Sequence, residues 1–418
     1  MQIKDEFYGN VLKMFTGTVG AYMFWALAML VVGRLYAPEY FGGGQLFIAA
    51  ASFLATIATG RYETAITIPR FHFRAIHLVL FSMALSILFA AIFSLILLIC
   101  SDLVSQLVVG VPAGHLLLVP CYMMELCFFV LFYAWMIRTK KYAAAAKGLI
   151  LFPLSYLAFC LIFYYVETSW HKLVMAILLA RGIEVLYYGS YLYRDMRRYA
   201  GRLSWRHVLR QGKEYADFPK YQLLGGFIDS AKGNGIPFLI TAFWGLETTG
   251  HYSMAEQVLA APAGLLAKAV GDVFRQEGAR LYGKYKACGA FYRKNLYLSV
   301  AYSVLVCVAA YIAAPVVLPA ILGARWAMAG EYVRWLLPVT FMALAISQVN
   351  HIYIIARRQK KYLNIQIMQF LASVVGLGGA GWYGCSAGAA LIFWGVLTIP
   401  ISIISVYGGW RIANGVRE

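Results

Sequence analysis

Two short stretches decide the architecture of this 418-residue chain: LYAPEYFGGG at residues 35–44 and FWGLETTGHY at residues 243–252. Each follows a long apolar run, and each contains a glutamate with a glycine three residues later. The matching residues are Glu39 with Glu247 and Gly42 with Gly250. Both pairs have the same separation, which is close to half the chain length. The stretches therefore predict an internal repeat that divides the chain into two similar halves.

The composition predicts an integral membrane protein. Hydrophobic residues make up 62% of the sequence and charged residues 13%, whereas a soluble domain has roughly 25% charged residues. The 36 Lys and Arg residues exceed the 18 Asp and Glu residues, a balance that can indicate nucleic-acid binding. Here the basic residues cluster in short runs between apolar segments, as in the cytoplasmic loops of membrane proteins. We therefore expect no nucleic-acid partner.

Apolar windows of about 20 residues, which suffice to cross the hydrocarbon core, can be placed twelve times. They are residues 13–34, 43–66, 76–100, 113–137, 147–166, 172–193, 221–243, 250–273, 295–318, 332–355, 362–382 and 386–408. The windows and the repeat predict an all-α polytopic membrane protein with about 12 transmembrane helices in two pseudo-symmetric six-helix lobes. The predicted domains are an N-terminal lobe (1–200), a basic cytoplasmic linker (201–220) and a C-terminal lobe (221–418).

The connections between the windows alternate in charge. The basic ones are residues 70–77, 138–147, 194–220, 275–294 and 357–361. The positive-inside rule places these connections and both termini in the cytoplasm. The first apolar run has no small-residue cleavage site after it, so we expect a retained span rather than a removed signal. The chain also lacks HExxH and GxxxxGK[ST] motifs, and we expect no enzyme and no ATP-driven mechanism.

The second window carries a polar stripe at helical spacing. Taken at 100° per residue, its members on one face are Gln45, Ser52, Thr56, Thr59 and Glu63. Arg61 lies roughly 160° away from this face. We therefore expect that Arg61 does not pair with Glu63 and that it points at another element or at lipid phosphates.

The eighth window repeats this pattern. One face carries Gln257, Ala261, Gly264, Lys268, Asp272 and Arg275, with the small residues first and the charges at the cytoplasmic end. Because the stripes occupy the second helix of each half, we expect them to oppose each other across a central cavity, as in a transporter.

Three further windows contain buried charges, which are costly in a membrane and functional by default. The seventh, GGFIDSAKGNGIPF (225–238), holds Asp229 and Lys232. Its glycines and proline cost roughly 1 and 3 kcal/mol each in a helix, so we expect a broken or bending helix at a binding site. The alternative is that Asp229 and Lys232 only satisfy each other.

Glu125 has either a pathway role or a local hydrogen bond. Arg181 and Glu184 are expected to pair, and the sequence leaves open whether they line the cavity.

Five segments resemble one family of transporters. They are RLYAPEYFG (34–42), TGRYETAITIP (59–69), YADFPKY (215–221), HYSMAEQVLAAPAGLLAKAVGDVFRQEGAR (251–280) and the W-x-x-AG-x-Y stretch from Trp326 to Tyr332. Together they are similar to the bacterial oligosaccharide/polysaccharide flippases (O-antigen or capsule repeat-unit) of the multidrug/oligosaccharidyl-lipid/polysaccharide exporter superfamily. The resemblance implies two lobes around a central cavity that opens alternately to each side. It also implies transport of undecaprenyl-diphosphate-linked sugar repeats from the cytoplasmic to the periplasmic leaflet of the bacterial inner membrane.

The resemblance implies a diphosphate-linked substrate, and helix geometry selects the charged residues that would contact it. A diphosphate needs cationic partners, and the candidates are Arg34, Arg61, Lys232, Lys268 and Arg275. The acidic candidates are Glu63, Asp229, Asp272 and Glu125, which would balance those charges or bind a coupling H⁺ or Na⁺. No other cofactor and no metal is expected. The implied partners are the lipid-linked oligosaccharide, membrane lipids and, as a further possibility, the polysaccharide polymerase and chain-length machinery.

Three alternatives remain open. A cation-coupled multidrug antiporter of the same fold would have an acidic cavity largely without cations, and Lys232 and Lys268 argue against it. The lipid II flippase branch usually has fourteen helices, whereas twelve fit here. A membrane polysaccharide polymerase or ligase would need a sizeable extracytoplasmic loop, but the connections on that side are short.

Overall fold

The computed structural model describes residues 2–99, 117–166 and 169–415, and all regular secondary structure in them is helical. The α-helices are α1 (Gln2–Leu35), α2 (Pro38–Ala58), α3 (His72–Ile99), α4 (Leu118–Arg138), α5 (Tyr142–Val166), α6 (Trp170–Arg198), α7 (Trp205–Glu214), α8 (Asp217–Tyr285), α9 (Gly289–Leu322), α10 (Ala327–Ser347), α11 (His351–Ile355), α12 (Gln359–Ser373), α13 (Ala380–Trp382) and α14 (Ala387–Ala413). A π-helical turn, Val374–Gly379, joins α12 to α13. Short 3₁₀ turns lie at Tyr62–Thr64, Ala200–Arg202 and Ala324–Trp326.

Ten stretches of the described residues are long and apolar enough to cross a membrane, and they match ten of the twelve predicted windows. The other two windows, the seventh and eighth, lie in α8. This helix of 69 residues is interrupted at Gly245, where φ is 86° and ψ is 178°. The prediction of an all-α polytopic membrane protein with about twelve spanning helices is confirmed. Residue 100 of the third window and residues 113–116 of the fourth lie outside the described part of the chain.

The helices pack into two compact units. The first comprises Met1–Tyr36 and Leu46–Ser230, and the second comprises Ala37–Gln45 and Ala231–Glu418. The first turns of α2 therefore pack with the second unit, while the beginning of α8 packs with the first. The predicted domain boundaries at residues 200 and 220 stay a prediction.

The core of the first unit lies between α3, α4 and α6. Trp135 and Tyr188 are its largest fully buried side chains. The Trp135 indole donates to Asp195 Oδ2 at 2.9 Å, and Lys141 Nζ lies 2.6 Å from the same oxygen. These contacts join the adjacent ends of α4, α5 and α6.

The core of the second unit gathers aromatic side chains of α8, α9 and α11 against α14. Tyr292 and Tyr353 are buried, and their hydroxyls donate to the carbonyl oxygens of Val406 and Ser405 at 3.1 and 2.7 Å. Bonds from buried hydroxyls to backbone oxygens satisfy groups that have no access to water. They hold α9 and α11 against the same part of α14.

The two repeat-related stretches contact each other inside the second unit. A Cβ atom on Gly42 would overlap the carbonyl oxygen of Leu246, and one on Gly250 would overlap that of Pro38. Each glycine is therefore required so that the backbones of α2 and α8 can approach closely. The two glycines that the repeat pairs thus serve the same steric purpose on either side of one contact.

Two local predictions are wrong. The second helix ends at Ala58 rather than near residue 66, because Gly60 and Arg61 have left-handed backbones with φ of 58° and 60°. Positive φ at consecutive residues is incompatible with a continued right-handed helix. We expected a broken or bending helix at residues 225–238, and the break is absent, since this segment stays helical and α8 breaks at Gly245 instead.

Candidate functional site

A left-handed turn after α2 brings Arg61 and Glu63 together in the first unit. The Arg61 guanidinium lies 3.6 Å from the Glu63 carboxylate, so the expectation that they do not pair is wrong. That expectation assumed helical spacing up to residue 63, whereas the helix has already ended. For a residue with a Cβ, a left-handed backbone costs roughly 1–2 kcal/mol, so the surrounding contacts hold Arg61 in place.

The start of α8 forms one wall of this turn. A Cβ atom on Gly226 would lie 3.2 Å from Arg61 Nε, so the absence of a side chain there leaves room for the guanidinium. The Thr64 hydroxyl bonds to the Gln222 side chain at 3.1 Å. Arg61 Nε and Glu63 Oε2 are buried without a hydrogen-bond partner. The turn therefore keeps one donor and one acceptor for an additional ligand or water.

Tyr62 attaches the same turn to α7. Its hydroxyl donates to the carbonyl oxygen of Gly212 at 2.9 Å. Burial raises the pKa of the Tyr62 phenol, so this hydroxyl stays protonated and remains a donor. The turn is thereby fixed to the end of α7.

A buried charge cluster lies in the first unit. Arg181 and Glu184 form the expected ion pair, and their side chains are only 12% and 1% exposed. The Arg181 guanidinium lies between two aromatic rings, 4.6 Å from the centre of Phe129 and 3.7 Å from that of Phe152. Such cation–π contacts stabilise a cation that water does not reach. The charge of Arg181 is therefore compensated locally.

Glu125 lies next to this pair. A Cβ atom on Gly182, which neighbours Arg181, would be 3.2 Å from Glu125 Oε1. Glu125 Oε2 and Glu184 Oε1 are both buried without a hydrogen-bond partner. Two carboxyl groups beside one guanidinium leave an excess negative charge, which is costly in a dry interior. The cluster is therefore suited to hold a proton or a cation.

Lys232 lines a cavity of about 170 Å³ in the second unit. The Lys232 ammonium group donates to Gln369 Oε1 of α12 at 2.7 Å. Its predicted i,i+3 partner, Asp229, is exposed on the preceding turn of α8. This bond to an uncharged acceptor orients the ammonium group.

The remainder of the cavity wall, within the described residues, is polar but contains no Asp or Glu. The polar residues that line it besides Lys232 and Gln369 are Ser347, Asn350, Tyr362, Thr398 and Ser402. Trp394 also lines it, and its buried indole N–H has no hydrogen-bond partner. The volume exceeds the roughly 30 Å³ share of one water molecule several-fold. A cation with hydroxyl, amide and indole groups suits a phosphate or a sugar hydroxyl group.

The other sequence-predicted residues are placed as follows. Arg34 and Arg275 are exposed. The side chains of Lys268 and Asp272 lie outside the described part of the structure, although the backbone of α8 continues through them. The structure brings together Arg61 with Glu63, and Arg181 with Glu184. The roles assigned to all these residues stay predictions.

Sequence reasoning missed the cavity residues of α12 and α14. Gln369, Thr398 and Ser402 are uncharged, whereas the site residues predicted from the sequence are all charged. A signal was present, since Thr398, Ser402 and Ser405 recur at helical spacing in an otherwise apolar helix. The same stripe test that selected residues of the second window would have selected these three.

A family model described as "Polysaccharide biosynthesis protein" matches residues 31–331 of the chain. This range contains most of the first unit, together with α8 and α9 of the second. It includes Arg61, Glu125, Arg181 and Lys232, but not Gln369. No curated protein sequence matches the chain.

Several solved transporter structures share the fold. "Lipid II flippase MurJ, inward closed conformation" superposes with a TM-score of 0.73 at 11% identity, covering 96% of this chain and 90% of that one. The inward-facing conformation of a multidrug resistance MATE family transporter of the MOP superfamily has a TM-score of 0.65 at 13% identity, with 94% of both chains covered. The MATE multidrug transporter DinF-BH has a TM-score of 0.67 at 12% identity, covering 97% of this chain and 95% of that one. At such identities the likeness establishes the fold alone.

Proposed function

The chain belongs to the family of polysaccharide biosynthesis proteins, and on this premise we propose that it is a flippase for lipid-linked oligosaccharides. Its substrate is an undecaprenyl-diphosphate-linked repeat unit, which it moves from the cytoplasmic to the periplasmic leaflet of the bacterial inner membrane by alternating access. Both termini lie in the cytoplasm. The product serves the synthesis of a surface polysaccharide, such as O-antigen, capsule or exopolysaccharide, in cooperation with a polymerase and chain-length machinery.

The cavity around Lys232 carries this proposal. A diphosphate needs cationic partners in a medium of low dielectric constant, and Lys232 meets this need while bonded to a neutral amide. The hydroxyl and amide groups of the wall match the many hydroxyl groups of a sugar. Arg34, Arg61, Lys268 and Arg275 are further candidates for the diphosphate path. Glu63, Asp229, Asp272 and Glu125 are candidates for charge balance or for a coupling H⁺ or Na⁺.

The second candidate function is a cation-coupled multidrug antiporter, which has the same fold. A site for organic cations would be expected to contain carboxylates, whereas the described lining of the Lys232 cavity contains a cation and no carboxylate. A membrane polymerase or ligase is disfavoured because the fold is shared with transporters.

Complementation tests the proposal. A flippase-null strain that carries the cognate sugar pathway would express the wild type, Lys232→Ala or Lys220→Ala at matched membrane levels. Lys220 is an exposed lysine of the same helix, paired with Asp217 at 3.9 Å, and is the matched control. We expect the wild type and Lys220→Ala to restore surface polysaccharide. Lys232→Ala should leave the lipid-linked unit on the cytoplasmic side.

Two outcomes would overturn the proposal. If the wild type leaves lipid-linked units unmoved and instead exports cationic dyes, the antiporter function is correct. If Lys232→Ala transports as well as Lys220→Ala, the cavity around Lys232 is not the substrate path.

A further inference from the structure

A second cavity in the second unit lies where the first turns of α12 meet the last turns of α14. Its volume is about 330 Å³. It differs from the Lys232 cavity in its residues, since Arg358, which immediately precedes α12, Lys361 of α12 and Arg411 of α14 line it. The cavity has no role in the transport path proposed above.

The charge in this cavity has one sign. Arg358, Lys361 and Arg411 are all half-buried, and the described lining contains no Asp or Glu. The N-terminus of α12, a helix of 15 residues, adds a partial positive charge at the same place. Three cations within one cavity repel each other, so an anion that binds between them is stabilised by all three.

The cavity continues into an apolar surface. Met368, Ile404 and Tyr407 line it one to two helical turns away from the cations, and they are 40%, 52% and 57% exposed. Exposed apolar side chains in a membrane-spanning helix have the acyl chains of lipids as their solvent. A cationic end beside an exposed apolar wall matches a molecule with an anionic head and a hydrocarbon chain.

Tyr353 forms the floor of the cavity, and its contacts hold it in one position. Tyr353 is buried, donates to the Ser405 carbonyl oxygen at 2.7 Å and stacks on Tyr362 at 5.9 Å. A Cβ atom on Gly408 would lie 2.6 Å from the Tyr353 hydroxyl, so only glycine leaves room for this ring. Arg411 stands 6.0 Å above the Tyr407 ring. A rigid floor lowers the entropic cost of ordering a ligand.

We infer that this cavity binds one anionic phospholipid of the cytoplasmic leaflet. Its phosphate contacts Arg358, Lys361 and Arg411, and one acyl chain lies along Met368 and Ile404. The positive-inside rule places this end of both helices at the cytoplasmic surface, where anionic lipids meet basic residues. The chemistry recognised is a phosphate group, and its source is a lipid headgroup rather than a soluble phosphate or the transported substrate.

Native mass spectrometry of the full-length protein in detergent tests this inference. The probe is dioleoyl-phosphatidylglycerol, and the comparison ligands are dioleoyl-phosphatidylcholine, glycerol phosphate and undecaprenyl diphosphate. The pocket variant combines Arg358→Gln, Lys361→Gln and Arg411→Gln. The control variant combines Lys284→Gln, Lys294→Gln and Lys360→Gln, which removes the same charge from exposed positions of the same unit.

We expect the wild type to bind one phosphatidylglycerol, at least about tenfold more tightly than phosphatidylcholine. Each cation removed should weaken binding about fivefold, and the pocket variant should therefore bind about 100-fold more weakly. The control variant should stay within about threefold of the wild type. Lys361→Gln alone should lose about fivefold, and it serves as the readout if the triple variant does not fold.

Three results would overturn the inference. An equal loss in the control variant would mean that the positive charge of the whole surface binds the lipid. Competition by glycerol phosphate at the same concentration as phosphatidylglycerol would mean a soluble phosphate site. Tighter binding of undecaprenyl diphosphate, abolished by the pocket variant, would mean that the substrate occupies the cavity. The assay measures no transport, so the flippase proposal can fail or hold independently.

Discussion

Arg181 in the first unit and Lys232 in the second are both cations within membrane-spanning helices, yet their surroundings differ. Arg181 pairs with the carboxylate of Glu184 and lies between two aromatic rings. Lys232 donates to the neutral amide of Gln369 and lines a cavity whose described wall has no carboxylates. The first arrangement buries a cation against a carboxylate and two rings, whereas the second places a cation on the wall of a polar cavity.

This difference separates a structural charge from one that can bind a ligand. Removal of a compensated cation leaves a buried carboxylate unpaired, and the protein loses stability. Removal of Lys232 takes one hydrogen bond from the neutral amide of Gln369, which costs about 0.5–1.5 kcal/mol, and it removes the cation from the cavity wall, so we expect the larger loss in ligand binding. The two residues should therefore respond oppositely to substitution.

The largest effect is expected for Arg181→Ala. This change leaves Glu184, which is 1% exposed, without its cation, and breaking a buried pair costs about 3–5 kcal/mol. The apparent melting temperature in detergent should fall, and less protein should reach the membrane. The double variant Arg181→Met/Glu184→Met should recover much of this loss, because it removes both charges. Equal losses in both variants would mean that Arg181 contributes packing rather than compensation.

A steric change in the second unit should have an intermediate effect. Gly250→Ala places a methyl group against the Pro38 carbonyl, and such overpacking costs about 1–3 kcal/mol. Gly225→Ala is the control, since nothing lies within 4 Å of its new methyl group and a helical alanine gains about 0.5–1 kcal/mol over glycine. Thermal unfolding of both variants provides the measurement. Similar stability of Gly250→Ala and Gly225→Ala would show that the backbones of α2 and α8 can move apart at little cost.

Lys232→Met should cost less stability than Arg181→Ala, since the hydrogen bond that it takes from the neutral amide of Gln369 contributes about 0.5–1.5 kcal/mol. Translocation of the lipid-linked unit should nevertheless fall about tenfold or more, because hydrogen bonds to a charged group contribute about 1.5–3 kcal/mol. The two readouts are the melting temperature and the rate of repeat-unit transfer in proteoliposomes. A large loss of stability with unchanged transfer would mean that Lys232, like Arg181, serves the fold rather than the substrate.

The smallest effect is expected for Glu63→Gln. The Arg61 side chain is 33% exposed in its pair with Glu63, and such partly exposed pairs contribute about 0–1 kcal/mol. The melting temperature should stay close to that of the wild type. A loss comparable to that of Arg181→Ala would mean that the turn is as strictly compensated as the buried cluster.

Most of the fold could be predicted from the sequence, because hydropathy acts locally along the chain. Ten predicted windows coincide with apolar helices, and the two remaining windows lie in α8. The Arg181–Glu184 pair was also predictable, since residues three positions apart in a helix are neighbours. The pairing of Arg61 with Glu63 was not, because it depends on two residues with positive φ that helical spacing cannot represent.

The sequence alone therefore determined the membrane environment, the helical class, the number of spans and the repeat of Glu39 and Gly42 in Glu247 and Gly250. Each of these follows from composition or spacing along the chain. Only the tertiary structure decided which groups surround each charge. Lys232 meets Gln369 across 137 positions of sequence, and the contact of Gly42 with the start of the second half of α8 depends on how two backbones pack. The physical reason is that side-chain partners distant in sequence are set by packing, for which local periodicity carries no information.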